Sequence, residues 1–140
     1  MKHYYTDGSA SPNPGPGGYA VIDLDAKQPV ALGKEANSTN IRMEAMALIA
    51  AFKIVEPGDT IFTDSEFWIN VVTKWAKGWK ANGWTKKSGP IKNLELVQEL
   101  FELYESKPGV NLTWTRGHVG TEGNELADEW ANKARKGAEL

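Results

Sequence analysis

Four acidic residues stand where oxygen ligands for a metal could converge. Asp7, in Asp7-Gly8-Ser9, follows one strand-like run, and Asp64, in Asp64-Ser65, follows another. In an open α/β sheet, ligands bind at the carboxyl ends of strands, and two acids there suggest a metal. Each Asp taken singly also reads as a turn or cap residue, because Asp favours both. Glu44 shares a 3.6-period face with Leu48, Ala51 and Val55, an apolar stripe that should meet the sheet. Its bland alternative is a first-turn acid favoured by the helix dipole and angled to solvent. Asp128 lies beside Ala127 and one turn before Ala131 in an Ala-rich helix, where a plain surface acid is the alternative. Carboxylates gathered without cations repel and raise one another's pKa, whereas hard oxygen ligands suit Mg²⁺, which keeps waters and binds substrate phosphate.

The elements that must position these acids read as βββαβααβα. Lys2 to Thr6, Tyr19 to Leu24 and Val30 to Gly33 favour strands, and their short connections make an antiparallel meander. Between the first two lies Pro12-Asn13-Pro14-Gly15-Pro16-Gly17-Gly18, which reads as a loop. Asn37-Ser38-Thr39-Asn40 offers N-caps for a helix over Ile41 to Val55 that stops at Pro57-Gly58. Thr60 to Thr63 is a short strand, and Ser65 caps a second helix through about Trp75. After Gly78 and Gly83 break the chain, an amphipathic helix carries Leu94, Val97, Leu100, Phe101 and Tyr104. Val110, Leu112 and Trp114 alternate with polar residues as a last strand with one buried face, and a Thr121 cap opens a helix from Glu122 to about Lys136. This order predicts an α/β fold with a mixed sheet of three antiparallel and two parallel strands, flanked by helices.

Composition narrows the class. At 140 residues, with 41% apolar and 24% charged residues, the chain suits one folded domain over 1–140 rather than a disordered tail or a coiled coil. It has no cysteine, so thiolate sites and disulfides are excluded and any metal sits on oxygen or histidine. No apolar run approaches a membrane span and no secretory leader is visible, so a cytoplasmic protein without a membrane partner is expected. The net charge of −2 hides a segregation: Phe67 to Leu94 holds six lysines and no Asp or Glu, leaving −8 on the remainder. A basic block on an acidic body is an asymmetry that phosphate backbones detect.

Four spaced motifs then carry a resemblance across nearly the whole chain. They are Tyr5-Thr6-Asp7-Gly8-Ser9 with Asn13-Pro14-Gly15-Pro16-Gly17-Gly18, Thr39-Asn40-Ile41-Arg42-Met43-Glu44, Thr63-Asp64-Ser65, and Gly117-His118-Val119-Gly120 with Asn124-Glu125-Leu126-Ala127-Asp128. Together they resemble ribonuclease H of type 1, whose fold has a five-stranded mixed sheet. The resemblance implies that Asp7, Glu44, Asp64 and Asp128 hold two Mg²⁺ ions, with Mn²⁺ as a substitute. It also implies that His118, on a glycine-flanked loop, assists turnover. Thr39 and Asn93 match positions that hold a DNA phosphate, and Asn13 and Asn40 match positions that read the minor groove, where an amide senses a 2′-hydroxyl. The basic segment at about 74–92 looks like that family's handle for the DNA strand, with Lys80, Lys86, Lys87 and Trp79 in the substrate surface.

The activity implied is hydrolysis of the RNA strand of RNA–DNA hybrids by a monomer, with recruitment by a single-strand DNA-binding protein open. Most tryptophans of the handle are expected to form its small core, so charge rather than ring stacking should bind. Three residues depart from the family pattern: Asn37 where several relatives carry a basic residue, Ile41 where an amide is usual, and Glu66 beside the metal site. A catalytically silent hybrid or double-stranded RNA binding module on the same fold is the rival reading. A polynucleotidyl transferase would need further domains, and no separate N-terminal hybrid-binding domain is expected.

Overall fold

The computed structural model describes residues 1–116 and 122–140. Three antiparallel strands, β1 (His3–Ala10), β2 (Gly15–Asp23) and β3 (Gln28–Ser38), form the meander. β4 (Thr60–Thr63) joins β1 in parallel and β5 (Asn111–Trp114) joins β4 in parallel, giving the strand order β3-β2-β1-β4-β5. The five-stranded mixed sheet expected from the sequence is therefore present.

Helices cover both faces. α1 (Asn40–Ile54) and α4 (Leu94–Ser106) pack on one side, where Leu48, Phe52, Val97 and Leu100 bury Tyr4, Val21 and Ile61. α5 (Glu122–Arg135) covers the other side, its Ala127 and Ala131 lying against Tyr5, Ala20 and Ile22. The alternation of Tyr4 and Tyr5 between the two cores is the period-2 signature of a strand buried on both faces.

Three boundaries differ from the sequence expectation. β1 continues through Asp7-Gly8-Ser9 to Ala10, so Asp7 lies inside the strand rather than at its end. The Gly/Pro run is not all loop: β2 begins at Gly15, and Gly17 and Gly18 pair with Ala10 and Ser9. Those glycines serve close packing, because a Cβ on Gly18 would lie 2.3 Å from the backbone nitrogen of Arg135. Finally, the helix after Ser65 does not stop at Trp75. It runs as α2 (Glu66–Asn70), a π-helical turn (Val71–Trp75) and α3 (Ala76–Ala81), with Gly78 inside the last. Gly78 faces open space, so its helix-breaking tendency, worth only about 1 kcal/mol, is overridden.

β5 is shorter than the run Val110 to Thr115, and its Trp114 is exposed rather than on a buried face. β5 is an edge strand of the sheet.

Two glycine substitutions should separate close packing from local propensity. Gly18→Ala is expected to destabilise by about 3 kcal/mol or more, since backbone rather than a flexible side chain blocks the new Cβ. Gly78→Ala is expected to stabilise by about 0.5–1 kcal/mol. Urea unfolding of both variants checks this; equal effects would contradict the packing described.

Candidate active site

Asp7 owes its place to a fork in the sheet. β1 and β4 pair from His3–Thr60 to Tyr5–Phe62 and no further, while β1 goes on pairing with β2 as far as Ala10. Beyond Tyr5 the two parallel strands part, and Asp7 on β1 and Asp64 just after β4 flank the gap. The expectation that both acids sit at the carboxyl ends of parallel strands thus holds for the β1–β4 pairing, although β1 itself is longer.

The first turn of α1 presses onto the same place. A Cβ on Gly8 would lie 2.3 Å from the carbonyl carbon of Met43 and 2.7 Å from the nitrogen of Glu44. Only glycine admits that approach, and it sets Glu44 beside the fork. Thr39 caps α1, its hydroxyl accepting from the Arg42 N–H at 3.2 Å. Ser65 caps α2 by accepting from the Trp68 N–H at 3.3 Å. Buried Trp68 donates its indole N–H to the Ile41 carbonyl at 2.8 Å, tying the β4–α2 junction to the start of α1. On the other side, the Trp114 indole N–H reaches the Asp64 carbonyl at 3.2 Å.

Asp128 comes from α5. One turn before it, buried Asn124 donates to the Tyr5 hydroxyl at 3.1 Å, and Tyr5 also contacts the Thr115 hydroxyl. Tyr5 and Asp7 lie two residues apart on one strand face, and Asn124 and Asp128 one turn apart on one helix face. The Tyr5–Asn124 contact is the rung below Asp7 and Asp128. Sequence reasoning gave Asn124 and Tyr5 no role of their own; their polar tips in an otherwise apolar contact were the available signal.

Electrostatics show that the four acids share one environment. Burial, then the charge of Asp64, then those of Asp128 and Glu44, push Asp7 up to about 8 against the pull of the Gly8 N–H at 2.8 Å. Burial and then Asp64 push Glu44 up to about 7, opposed by a hydrogen bond from Ser65. Without a cation, Asp7 is therefore mostly protonated at neutral pH. Among the described residues, no three His, Cys, Asp or Glu side chains are placed so that they could hold a metal ion between them. An all-oxygen set that repels itself suits a hard divalent cation that keeps waters in its shell. His118 lies outside the described residues.

A basic, apolar groove of about 340 Å³ opens between α1, the π-helical turn and the segment before α4. Trp79, Lys86, Lys92 and Asn93 line it, with Ile41 and Trp75. Lys86 stands 5.7 Å over the Trp79 ring. Lys80 points elsewhere, pairing with Glu105 of α4 at 3.4 Å, so it does not join Lys86 in the groove. Lys87 is exposed. Trp84 packs edge-on against Phe101, as a core tryptophan should, whereas Trp75, Phe67 and Ile41 are each more than two-fifths exposed. Most of the handle's tryptophans are expected in its small core, and Trp75 is the exposed exception. The departing residue Ile41 and the acid Glu66 are both exposed.

The polar residues singled out from the sequence meet in pairs. Asn13 Oδ1 accepts from the Asn40 N–H at 3.2 Å, and Asn40 Oδ1 accepts from the Ala10 N–H at 2.7 Å. With both oxygens engaged as acceptors, the NH₂ of each amide is its donor side. Although they come from different segments, they form one adjoining pair. Thr39 and Asn93 both bond Arg42.

Known proteins agree with this layout. The RNase H family model matches residues 2–136. The ribonuclease H of Jannaschia sp. (strain CCS1) is 44% identical over 91% of this chain and 86% of its own length. That of Agrobacterium fabrum is 43% identical, covering 95% and 94%. The ribonuclease H of Methylorubrum extorquens is 42% identical over 96% of this chain, which spans 60% of that longer relative. Among solved structures, the crystal structure of LC9-RNase H1, described as a type 1 RNase H with the type 2 active-site motif, has a TM-score of 0.79 at 30% identity, covering 99% of this chain and 73% of that one. The solution structure of the PFV RNase H domain has a TM-score of 0.72 at 26% identity, covering 96% and 94%. The chain belongs to the ribonuclease H family.

The raised carboxyls make the metal-free protein pH-sensitive. A carboxyl whose folded pKa exceeds its ordinary value stabilises fully below the ordinary value, and that contribution is lost as pH rises through the folded pKa. Asp7 and Glu44 therefore weaken the fold as pH climbs toward 8. Asp23, held low mainly by the Ala26 N–H, and Glu35, held low mainly by Arg42, act oppositely under acid. With a chelator present, urea stability should peak near about pH 5 and fall by on the order of a few kcal/mol toward pH 9. A flat profile would contradict it.

Proposed function

We propose that this chain is an endonuclease that hydrolyses the RNA strand of RNA–DNA hybrids. The observation that carries the reading is that Asp64, Asp128 and Glu44 all act on the buried Asp7 carboxyl in a ribonuclease H family chain. Two Mg²⁺ ions held there, or Mn²⁺ in their place, would activate a water for in-line attack on phosphorus and stabilise the departing oxygen. The P–O3′ bond breaks, leaving a 3′-hydroxyl and a 5′-phosphate. Asp7 and Asp64, from the two strands, and Glu44 and Asp128, from the helices, would hold the ions. The site needs no protein nucleophile. His118, on the segment before α5, relays a proton or helps product leave.

Substrate is held by surfaces on either side of the carboxylates. The Asn13–Asn40 pair offers amide donors to the minor groove, where a 2′-hydroxyl oxygen accepts and a deoxyribose has nothing to offer. Thr39 and Asn93 hold a phosphate of the DNA strand. Lys86, with Trp79 and Lys87, tracks that strand along the handle at about 74–92, while Lys80 adds only long-range charge. On this reading residues 1–140 act as one folded unit, a cytoplasmic monomer open to recruitment by a single-strand DNA-binding protein. No helix among the described residues is long and apolar enough to cross a membrane.

Asp64→Asn should abolish cleavage of a labelled hybrid in saturating Mg²⁺ while hybrid affinity stays within about threefold, because one charged ligand is lost but the binding surface is not. Cleavage at near wild-type rate would refute the metal assignment, and a wild-type protein that binds hybrid without cutting it would favour the silent binding module.

The handle gives a second test. Lys86→Glu with Lys87→Glu should raise KM by about tenfold or more with kcat nearly unchanged, and flatten the log–log salt slope by about 0.7–0.9 per lysine. Lys80→Glu should do far less, since Lys80 already spends its charge on Glu105. Equal effects from the two changes would contradict the orientation of the handle.

A further inference from the structure

Arg42 joins more of this surface than any other side chain described above. Its Nε and Nη2 donate to the two oxygens of Glu35 on β3, at 2.9 and 3.2 Å. Its Nη1 donates to Asn93 Oδ1 at 3.1 Å and to Glu95 Oε1 at 2.7 Å. Its backbone N–H is taken by the Thr39 hydroxyl oxygen. One residue of α1 thus binds β3, the cap of its own helix and the start of α4. The two groups read above as phosphate contacts, Thr39 and Asn93, are the cap residue and one of the side-chain partners.

The polarity of these bonds matters more than their number. An asparagine amide ends in one acceptor and one donor group, and nothing intrinsic decides which faces outward. Arg42 has only donors, so the Asn93 oxygen must turn to it and the NH₂ is left facing away. Thr39 is set by capping instead: its oxygen accepts from the backbone N–H of residue 42, whatever side chain stands there, and its hydroxyl hydrogen remains to donate elsewhere. Asn93 has no such restraint from its own backbone: it sits at φ 56, ψ 38 ahead of α4 and its side chain makes no cap bond to that helix. The Glu35 carboxylate, gripped by the other side of the fork, holds the guanidinium plane still.

We propose that Arg42 is a positioning residue for the DNA strand: by occupying the Asn93 oxygen, its guanidinium presents that amide as a hydrogen-bond donor to the backbone phosphate that Thr39 also meets. This rests on the reading of that pair as a phosphate contact. It also accounts for how the pair works with Asn37, rather than a cation, at the neighbouring position. A lysine at position 42 would keep the charge but not the fork, since one ammonium cannot hold the planar two-point grip on Glu35 while turning the Asn93 amide.

The test uses hybrids whose DNA strand carries one uncharged methylphosphonate, walked along the duplex, cut by wild type, Arg42→Met and Arg42→Lys. Wild type should show one position where the neutral linkage raises KM several-fold. In Arg42→Met that position should have a clearly weaker effect, with KM raised several-fold on the unmodified hybrid, kcat within twofold and the salt slope unchanged, because the contact altered is a neutral donor. Arg42→Lys should weaken the same position while retaining a folded circular dichroism spectrum, and it decides the matter should Arg42→Met fail to fold. If either folded variant still senses that linkage as wild type does, or loses only thermal stability, Arg42 is a structural clasp and the proposal falls. Failure of wild type to cut any hybrid would instead overturn the function proposed above.

Discussion

Bringing four carboxylates into one half-buried place is the constraint on which the rest of this structure depends. Left alone, such a cluster opposes folding, and the rise of Asp7 to about 8 and Glu44 to about 7 is the measure of that opposition. The fold answers with features that have no other evident purpose. Parallel pairing of β1 and β4 ends after Tyr5 and Phe62, so the strands open just where two acids must face each other. Gly8 lets the first turn of α1 rest on β1, and the Trp68–Ile41 bond keeps that turn against the β4–α2 junction. The Tyr5–Asn124 contact sets α5 at the height where Asp128 meets Asp7. The apolar cores on both faces supply the stability that the acids withdraw.

The substrate face follows a complementary logic. An acidic body would repel nucleic acid, so the cationic charge is confined to a segment that carries no acid at all and projects past α1 and α4. Within it, Lys86 is kept available by standing over the Trp79 ring, whereas Lys80 is drawn back onto α4 by Glu105. The substrate face also carries a row of amides and a hydroxyl, Asn13, Asn40, Asn93 and Thr39, whose oxygens already accept from N–H groups. What such a row offers to a ligand is donors, which is what phosphate oxygens and sugar hydroxyl oxygens require.

Much of this was legible in the sequence because it rests on local rules. The 15 residues of α1, the Thr60–Thr63 strand and the Ser65 cap follow from periodicity and capping, and the sheet order follows from short connections and crossovers. The four acids were legible only together, as members of a spaced pattern, since each alone passes for a turn or surface residue. What stayed hidden is tertiary. Asp7-Gly8 looks like a strand's end, yet β2 extends to pair with it. Gly17 and Gly18 look like a loop, yet they are the space that Met43 and Arg135 need. The split roles of Lys80 and Lys86, six residues apart, depend on which partner each meets across the handle, and spacing carries no trace of that.

The central claim is that burial, and then the neighbouring acids, keep the Asp7 carboxyl protonated until a cation joins the cluster. Its most direct measurement is the titration of the Asp7 side-chain carboxyl by carbon-detected NMR in the metal-free protein. The account predicts a midpoint near 8, falling toward the ordinary carboxylate range when Mg²⁺ is added. An Asp7 that titrates at its ordinary value near 3.8 without metal would contradict it.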